Sequence, residues 1–258
     1  KRLKILGRIF FFPHFIITSF IFKNSTGIIS ITDQFLKIGL SKANRKITKY
    51  DNFFPLGYKK LAPLKKYNGR LKNFPFDNKK INLCFIGTLG KSFDLETVIN
   101  AFNSGKLYDY RLFICGDGDN KTSLQQKVVS DNIYFTDYVN AEDIKYLLGK
   151  CQIGLCPYIP KNDFLNSIPG KAIEYMSEGL FIVSTLGNGI LGDLIIKNNI
   201  GVNYTNEETL IGQLISFKSN ETREKNIIDF YDKNFDSKVV YEKYIRHLNF
   251  VFKNYNSN

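Results

Sequence analysis

The sequence predicts an α/β protein in which a parallel sheet is flanked by helices on both faces. Three observations lead there. From residue 81 to residue 204, six short apolar runs alternate with helical stretches. The helical stretch at Leu95, Val98, Ile99 and Phe102 has the i, i+3, i+4, i+7 spacing of a helix with one apolar face. Glycine-rich or proline-containing turns follow the apolar runs, as they do where a parallel strand hands over to a helix.

Taken in order, residues 27–31 (GIISI) read as a short buried strand, and Thr32-Asp33 as the cap of a helix over FLKIGL. Residues 46–51 (KITKYD) alternate like a second strand. From Phe53 to Lys80, Lys, Pro, Gly and Asn occur without a sustained period, which reads as a linker. The regular part then begins: strand 81–86 (INLCFI), the glycine loop Gly87-Thr88-Leu89-Gly90, a helix, strand 110–115 (YRLFIC), the turn Gly116-Asp117-Gly118-Asp119, and a polar helix to about Val129. Strand 132–139 precedes Asn140 and Asp143, spaced like a capping box. Strand 152–158 leads to the segment 166–179 (NSIPGKAIEYMSEG), and strands 180–185 and 200–204 flank a short helix over 191–197. A C-terminal helix from about Ser237 to Tyr255 places Val240, Tyr244, Leu248 and Phe252 on one face.

Composition bounds the class. The chain has 258 residues, 43% hydrophobic and 23% charged, and a formal charge of +12. Such a surplus suits nucleic acid, an anionic membrane or phosphate-bearing substrates. The lysines are scattered and the aromatics fall largely in apolar runs, which argues against a nucleic-acid surface. The four cysteines form no CxxC pair and only two histidines are present, so buried free thiols are expected rather than a metal centre. The apolar run Ile9–Phe22 is too short to cross a bilayer and is broken by Pro13 and His14. It reads either as a helix packed on protein or, with Lys1, Arg2, Lys4 and Arg8 before it, as a helix lying at a membrane surface. Lys1 and the single Met176 suggest a fragment or trimmed chain.

Ligands of such a sheet bind at the carboxyl ends of its strands. The glycine loop, the GDGD turn, Tyr138-Val139 and Asn166–Glu174 all follow strands, so they share one edge. Pro169-Gly170-Lys171 opens a helix that Gly179 ends. A helix N-terminus beside an ammonium forms an anion site. Glu174, one turn further in, suits hydroxyl donors instead, and phosphate beside a sugar diol is what a nucleotide presents. The alternative reading of Lys171 and Glu174 is as solvated helix residues. The glycine loop ends like a Walker A sequence, but Phe85 stands where the first glycine is required. Its readings are a turn that lets amides approach a diphosphate, with Lys91 nearby, or a merely structural turn.

Together, FIGTLGKSFDLETVINAF, LFICGDGD, NIYFTDYVNAEDIKYLLGKCQIGLCPY and NSIPGKAIEYMSEGLFIVST, in this order and spacing, resemble the donor-binding Rossmann-like domain of retaining GT-B glycosyltransferases of the family 4 kind (glycosyl transferases group 1). The resemblance covers about residues 80–205. It implies transfer of a sugar from a nucleoside diphosphate sugar to a sugar or lipid-linked acceptor in polysaccharide or glycolipid assembly, by a hexosyl-type transferase needing neither metal nor other cofactor. It implies a catalytic set of Lys91, Lys171 and Glu174. Glu174 matches the second glutamate of the family's E-x7-E element, which holds ribose hydroxyls. The implied donor-binding set is Gly87, Thr88, Leu89, Gly90, Gly116, Val139, Asn166, Ser167, Pro169 and Gly170, with the backbone at Val139 meeting the base. Two departures stand out: Asn166 replaces the first glutamate, and Thr88 replaces an arginine. The implied domains are 1–57 (remnant of an N-terminal acceptor domain), 58–79 (linker), 80–236 (donor domain) and 237–258 (helix returning to the first). A cytoplasmic protein, or one peripheral at the inner face of the membrane, is expected. The alternative is a truncated, inactive nucleotide-sugar-binding module.

Overall fold

The computed structural model describes residues 10–255. It divides into two compact units, one of residues up to Gly57 together with Ser237 onward, the other of Tyr58–Asp236.

The first unit contains α1 (Phe12–Asn24), β1 (Ile29–Ser30), α2 (Asp33–Ala43), β2 (Asn52–Phe53) and the C-terminal helix Ser237–Tyr255. β1 and β2 pair in parallel. Thr32 caps α2 as expected, accepting from the Phe35 N–H. The strand expected at 27–31 shrinks to two residues, and Ile28 beside it is the buried one. The strand expected at 46–51 does not form. The Asp51 carboxylate is buried and accepts from the Ile28 and Thr48 N–H groups, each at 2.7 Å, and from both ends of the Arg45 guanidinium at 2.6 and 2.7 Å. Collecting these donors folds residues 45–51 into a turn, and pairing starts one residue later. Burial pushes the Asp51 carboxyl up, but Arg45 and the amide donors outweigh it and hold the pKa at about 2.

α1 buries none of its side chains in this unit; Phe12 and Phe20 are 62% and 67% exposed. Lys1, Arg2, Lys4 and Arg8 lie outside the described residues. Of the face expected to be apolar on the C-terminal helix, Val240 is buried while Leu248 and Phe252 are exposed. His247 belongs to this packing, its Nε2 lying 3.1 Å from the Tyr50 carbonyl. Among the described residues no helix is long and apolar enough to cross a membrane.

The second unit carries β3 (Ile81–Ile86), α3 (Leu95–Asn103), β4 (Tyr110–Cys115), α4 (Lys121–Gln126), β5 (Ile133–Asp137), α5 (Ala141–Leu148), β6 (Ile153–Cys156), α6 (Asn162–Leu165), α7 (Gly170–Ser177), β7 (Phe181–Ser184), α8 (Ile190–Lys197), β8 (Gly201–Asn203), α9 (Glu207–Ile215) and α10 (Glu221–Asn234). Its six-stranded sheet has the order β5-β4-β3-β6-β7-β8, and every pairing is parallel. The order reverses between β3 and β6, the switch point where such sheets open a crevice. Alternate residues face opposite layers. Leu83, Phe85, Leu112 and Ile114 enter one core with α3, while Cys84, Ile86, Phe113 and Cys115 enter the other with α5 and α7. Burial on both faces is why these strands are apolar throughout. The Asn140–Asp143 capping box is present. α4 stops at Gln126, short of the expected Val129, and strands β5 to β8 are two or three residues shorter than expected.

Residues 58–80 contain only one short 3-10 turn, Arg70–Asn73, yet they are strapped to the sheet. Tyr67 stacks on Tyr146 with ring centroids 3.9 Å apart and donates its hydroxyl to Asp143. Leu71 is fully buried, and Phe76 packs on Phe113. Aromatic anchoring replaces the regular hydrogen bonding that the segment lacks.

Candidate functional site

The site lies where β3, β4 and β6 end. Two glycine loops leave β3 and β4 and continue their pairing beyond the strands. The Gly87 N–H donates to the Cys115 carbonyl and the Leu89 N–H to the Asp117 carbonyl, each at 2.8 Å, and the Leu89 carbonyl accepts from Asn120. Gly116, at φ +136°, has its α-carbon against the Gly87 carbonyl, so a side chain there would overlap that oxygen. Only glycine permits this approach.

These bonds correct the expectation that several loop amides face a diphosphate. Gly87, Leu89 and Gly90 all donate their N–H groups within the fold, and the Leu89 side chain is fully buried. Gly116 likewise gives its amide to the Asp137 carbonyl. Thr88, exposed at the tip, is the one residue of the four-residue loop whose amide has no acceptor among the described residues.

The cation at this edge is Lys171, in the first turn of α7. Its ammonium lies over the rings of Phe93 (5.1 Å) and Phe85 (5.3 Å) and against the α-carbon of Gly87. A methyl group on Gly87 would overlap Nζ and sit 2.8 Å from Cε. No salt bridge compensates Lys171 among the described residues. Burial lowers its pKa, and the nearby Cys156 and Glu174 only partly oppose this. The first amides of α7 have no intrahelical acceptor. Pro169, in extended conformation at the N-cap, is buried, while Gly170 is exposed with open space where a side chain would stand. Lys171 and the helix N-terminus therefore point one cation and free N–H groups at the same edge.

Glu174, one turn on, is half-buried. Its Oε1 accepts from the Tyr58 hydroxyl at 2.7 Å. Burial raises its pKa, Tyr58 and Lys171 lower it, and Glu178 raises it. Glu178 is itself paired with Lys145 at 2.6 Å. α7 is seated by Tyr175, whose ring packs on the α-carbon of Gly154 and whose hydroxyl accepts from the Ile86 N–H at 3.0 Å. Gly179, at φ +79°, ends the helix turn as expected.

Of the other expected residues, Asn166 closes the short α6, its N–H donating to the Asn162 carbonyl, and the Ser167 hydroxyl donates to the Asp163 carbonyl. The Val139 side chain is in the core, so its backbone is what it can offer a ligand. Lys91 is exposed and lines a concavity of about 340 Å³ with Phe93, Asn120, Ser123 and Lys127. Another concavity of about 300 Å³ lies at the ends of β6–β8, lined by Asp94, Tyr158, Thr185 and Tyr204. Gly87, Lys171 and Glu174 line neither. Two partners escaped the sequence reading: Tyr58, in a segment read as linker, and the Phe85–Phe93 shelf. All four cysteines are buried free thiols. Burial pushes Cys156 up to about 12, which keeps it a neutral thiol.

A glycine-loop switch point, a lysine at a helix N-terminus and a glutamate one turn later are thus assembled by one sheet. Residues 70–233 match the family described as glycosyl transferases group 1. The chain belongs to that family. No curated protein sequence matches it. Among solved structures, this glycosyltransferase family member resembles sucrose-phosphate synthase from Thermosynechococcus elongatus, with TM-score 0.72 and 16% identity over 93% of this chain and 61% of that one. A glycosyltransferase from Rickettsia africae gives 0.70 and 14%, over 88% and 64% of the two chains. HepE from Anabaena, solved in complex with UDP and glucose, gives 0.65 and 13%, over 87% and 63%. At these identities the likeness concerns the GT-B fold. The chain spans about three fifths of the length of these structures.

Proposed function

We propose that the chain serves a glycosyltransferase moving a sugar from a nucleoside diphosphate sugar to a sugar or lipid-linked acceptor, with retained anomeric configuration, in the manner of family 4. The observation that carries this is the seat of Lys171: an ammonium with no salt bridge among the described residues, held on Gly87 at the N-terminus of the helix that bears Glu174. In this reading Lys171, the first amides of α7 and the Thr88 N–H receive the diphosphate. Glu174 accepts the ribose hydroxyls, the Val139 backbone meets the base, and Asn166 and Ser167 lie beside the sugar. The sugar C1–O bond to the diphosphate breaks and a C1–O bond to the acceptor hydroxyl forms. The hydroxyl proton leaves with the departing diphosphate. Lys171 and the helix N-terminus stabilise the charge that develops there, so the reading requires no metal. Residues 80–236 act as the donor domain, joined through 58–79 to an acceptor side that includes residues 1–57 and the helix at 237–258. The exposed apolar α1 is compatible with peripheral contact at the inner face of a membrane. Lys91 is retained as a contributor of positive charge.

Calorimetric titration with UDP and with GDP, on the wild type and on Glu174→Ala, tests this. Saturable binding of one nucleotide, weakened roughly tenfold or more in the variant, is expected for a lost charged hydrogen-bond acceptor. Absence of binding by the folded wild type refutes the donor site. Binding without transfer to any acceptor identifies the chain as a nucleotide-sugar-binding module.

A further inference from the structure

Tyr58 lies outside the stretch matched by the family, yet its hydroxyl reaches the centre of the proposed donor site. The bond to Glu174 Oε1 is 2.7 Å long and joins residues 116 apart in sequence. A hydroxyl donating to a carboxylate at this length is charge-assisted. Tyr58 is held at its backbone as well. Its N–H donates to the Phe235 carbonyl at 2.9 Å, and its own carbonyl accepts from the Tyr231 hydroxyl at 2.6 Å. Tyr231 is fully buried, and the two rings meet edge to face with centroids 6.5 Å apart. With its main chain pinned to the end of α10, Tyr58 can deliver its phenol only to a small region, and Glu174 occupies it.

A carboxylate has about four lone-pair sites over its two oxygens. The single proton of Tyr58 occupies one of them on Oε1, and Oε2 accepts no hydrogen bond among the described residues. A ribose diol needs an acceptor whose plane is fixed before it arrives, because ordering a free glutamate on binding weakens affinity. We propose that Tyr58 is a positioning residue: it clamps Oε1 of Glu174 so that Oε2 is presented, as an anion, to the hydroxyls of the nucleoside. This rests on the donor-site reading given above.

The charges around Glu174 permit a pH-resolved test. Lys171 lies one turn before it on α7, Glu178 one turn after it and paired with Lys145, and Cys84 on β3 faces it as a neutral thiol. Burial raises the Glu174 pKa and Tyr58 opposes that rise. Deleting only the phenol oxygen therefore moves the protonation of Glu174 to higher pH.

Titrations of wild type, Tyr58→Phe and Tyr231→Phe with UDP or GDP (whichever the wild type binds) are run from pH 5 to pH 8, with inorganic diphosphate as a second probe. Comparing proteins at each pH cancels the titration of the ligand itself. Tyr58→Phe is expected to bind the nucleotide ~3- to 10-fold more weakly at pH 7, with the acid limb of its affinity profile shifted upward. Inorganic diphosphate, which has no diol, should bind both proteins equally. Tyr231→Phe keeps the phenol of Tyr58 but loses one of its two backbone anchors, so its loss of affinity and its limb shift should both be smaller than those of Tyr58→Phe. Wild-type affinity and limb in Tyr58→Phe overturn the inference, as does tighter binding, which would place Tyr58 in the ribose position as an obstacle. A wild type that binds neither nucleotide refutes the donor site itself and this inference with it.

Discussion

Gly87→Ala separates the anion site from the fold that carries it. The backbone at Gly87 has φ +151°, where an L side chain adds strain of about 1–3 kcal/mol. The atoms that the new methyl meets are Nζ and Cε of Lys171, the free end of a flexible side chain. The lysine can swing away, so the sheet keeps its bonds, but its ammonium leaves the edge. Losing one charged contact to a bound diphosphate costs about 1.5–3 kcal/mol, or roughly 10- to 150-fold in Kd. Gly116→Ala is the contrasting variant. Its methyl overlaps the Gly87 carbonyl, a backbone atom that cannot move without disturbing the Gly87–Cys115 and Leu89–Asp117 bonds. Backbone strain plus one or two weakened hydrogen bonds amounts to about 2–5 kcal/mol of stability. Urea unfolding followed by far-UV circular dichroism, beside calorimetric titration with UDP or GDP, reads both quantities. Gly87→Ala should lose affinity out of proportion to stability, and Gly116→Ala should lose stability first. A stably folded Gly87→Ala protein with wild-type affinity would refute the placement of Lys171 as the anion contact.

Because burial lowers the Lys171 pKa, its charge is lost below the ordinary lysine range of about 10.4. Nucleotide affinity should therefore fall on the alkaline side before that pH, and Lys171→Met should abolish the limb. Asp51, held at about 2 in the fold against about 3.9 unfolded, contributes stability that is present above pH ~4 and lost as pH falls toward 2. The difference corresponds to about 2.6 kcal/mol, and acid titration of Asp51→Asn by circular dichroism should lack that phase. Tyr175→Phe leaves the buried Ile86 N–H without its acceptor, which should lower stability by about 1–3 kcal/mol in urea unfolding. Saturating EDTA should leave the UDP or GDP affinity unchanged, and a loss would overturn the proposal that Lys171 and the helix N-terminus supply the positive charge.

Much of the sheet was legible because its signals are local. Strands 81–86 and 110–115 appear at their expected bounds, since unbroken apolar runs between turn residues admit few alternatives. The Asn140 box and the Gly179 stop are decided by side chains within four residues. The 46–51 stretch was misread for a physical reason. Its alternation resembles a strand, but Asp51 gathers donors from 23 residues away at Ile28, and that distant bond outweighs local β propensity. The C-terminal helix shows the converse: its stripe predicts burial, yet Val240 alone of it is buried, Tyr244 packs edge-on against Phe54, and Leu248 and Phe252 are exposed.

For the site, the sequence alone placed Gly87, Gly116, Lys171 and Glu174 at strand ends, because loops after parallel strands must emerge at one edge. Pattern and spacing sufficed for that. Which groups remain free there was decided by tertiary structure. Three of the four loop amides are taken within the fold, Lys171 rests on Phe85 and Phe93, Lys91 lines a concavity with Phe93, Asn120 and Ser123, and Glu174 already accepts from Tyr58. Hydrogen-bond partners and burial are properties of chain segments meeting in space. Tyr58 and Glu174, 116 positions apart, meet only once the sheet, α7 and α10 have packed.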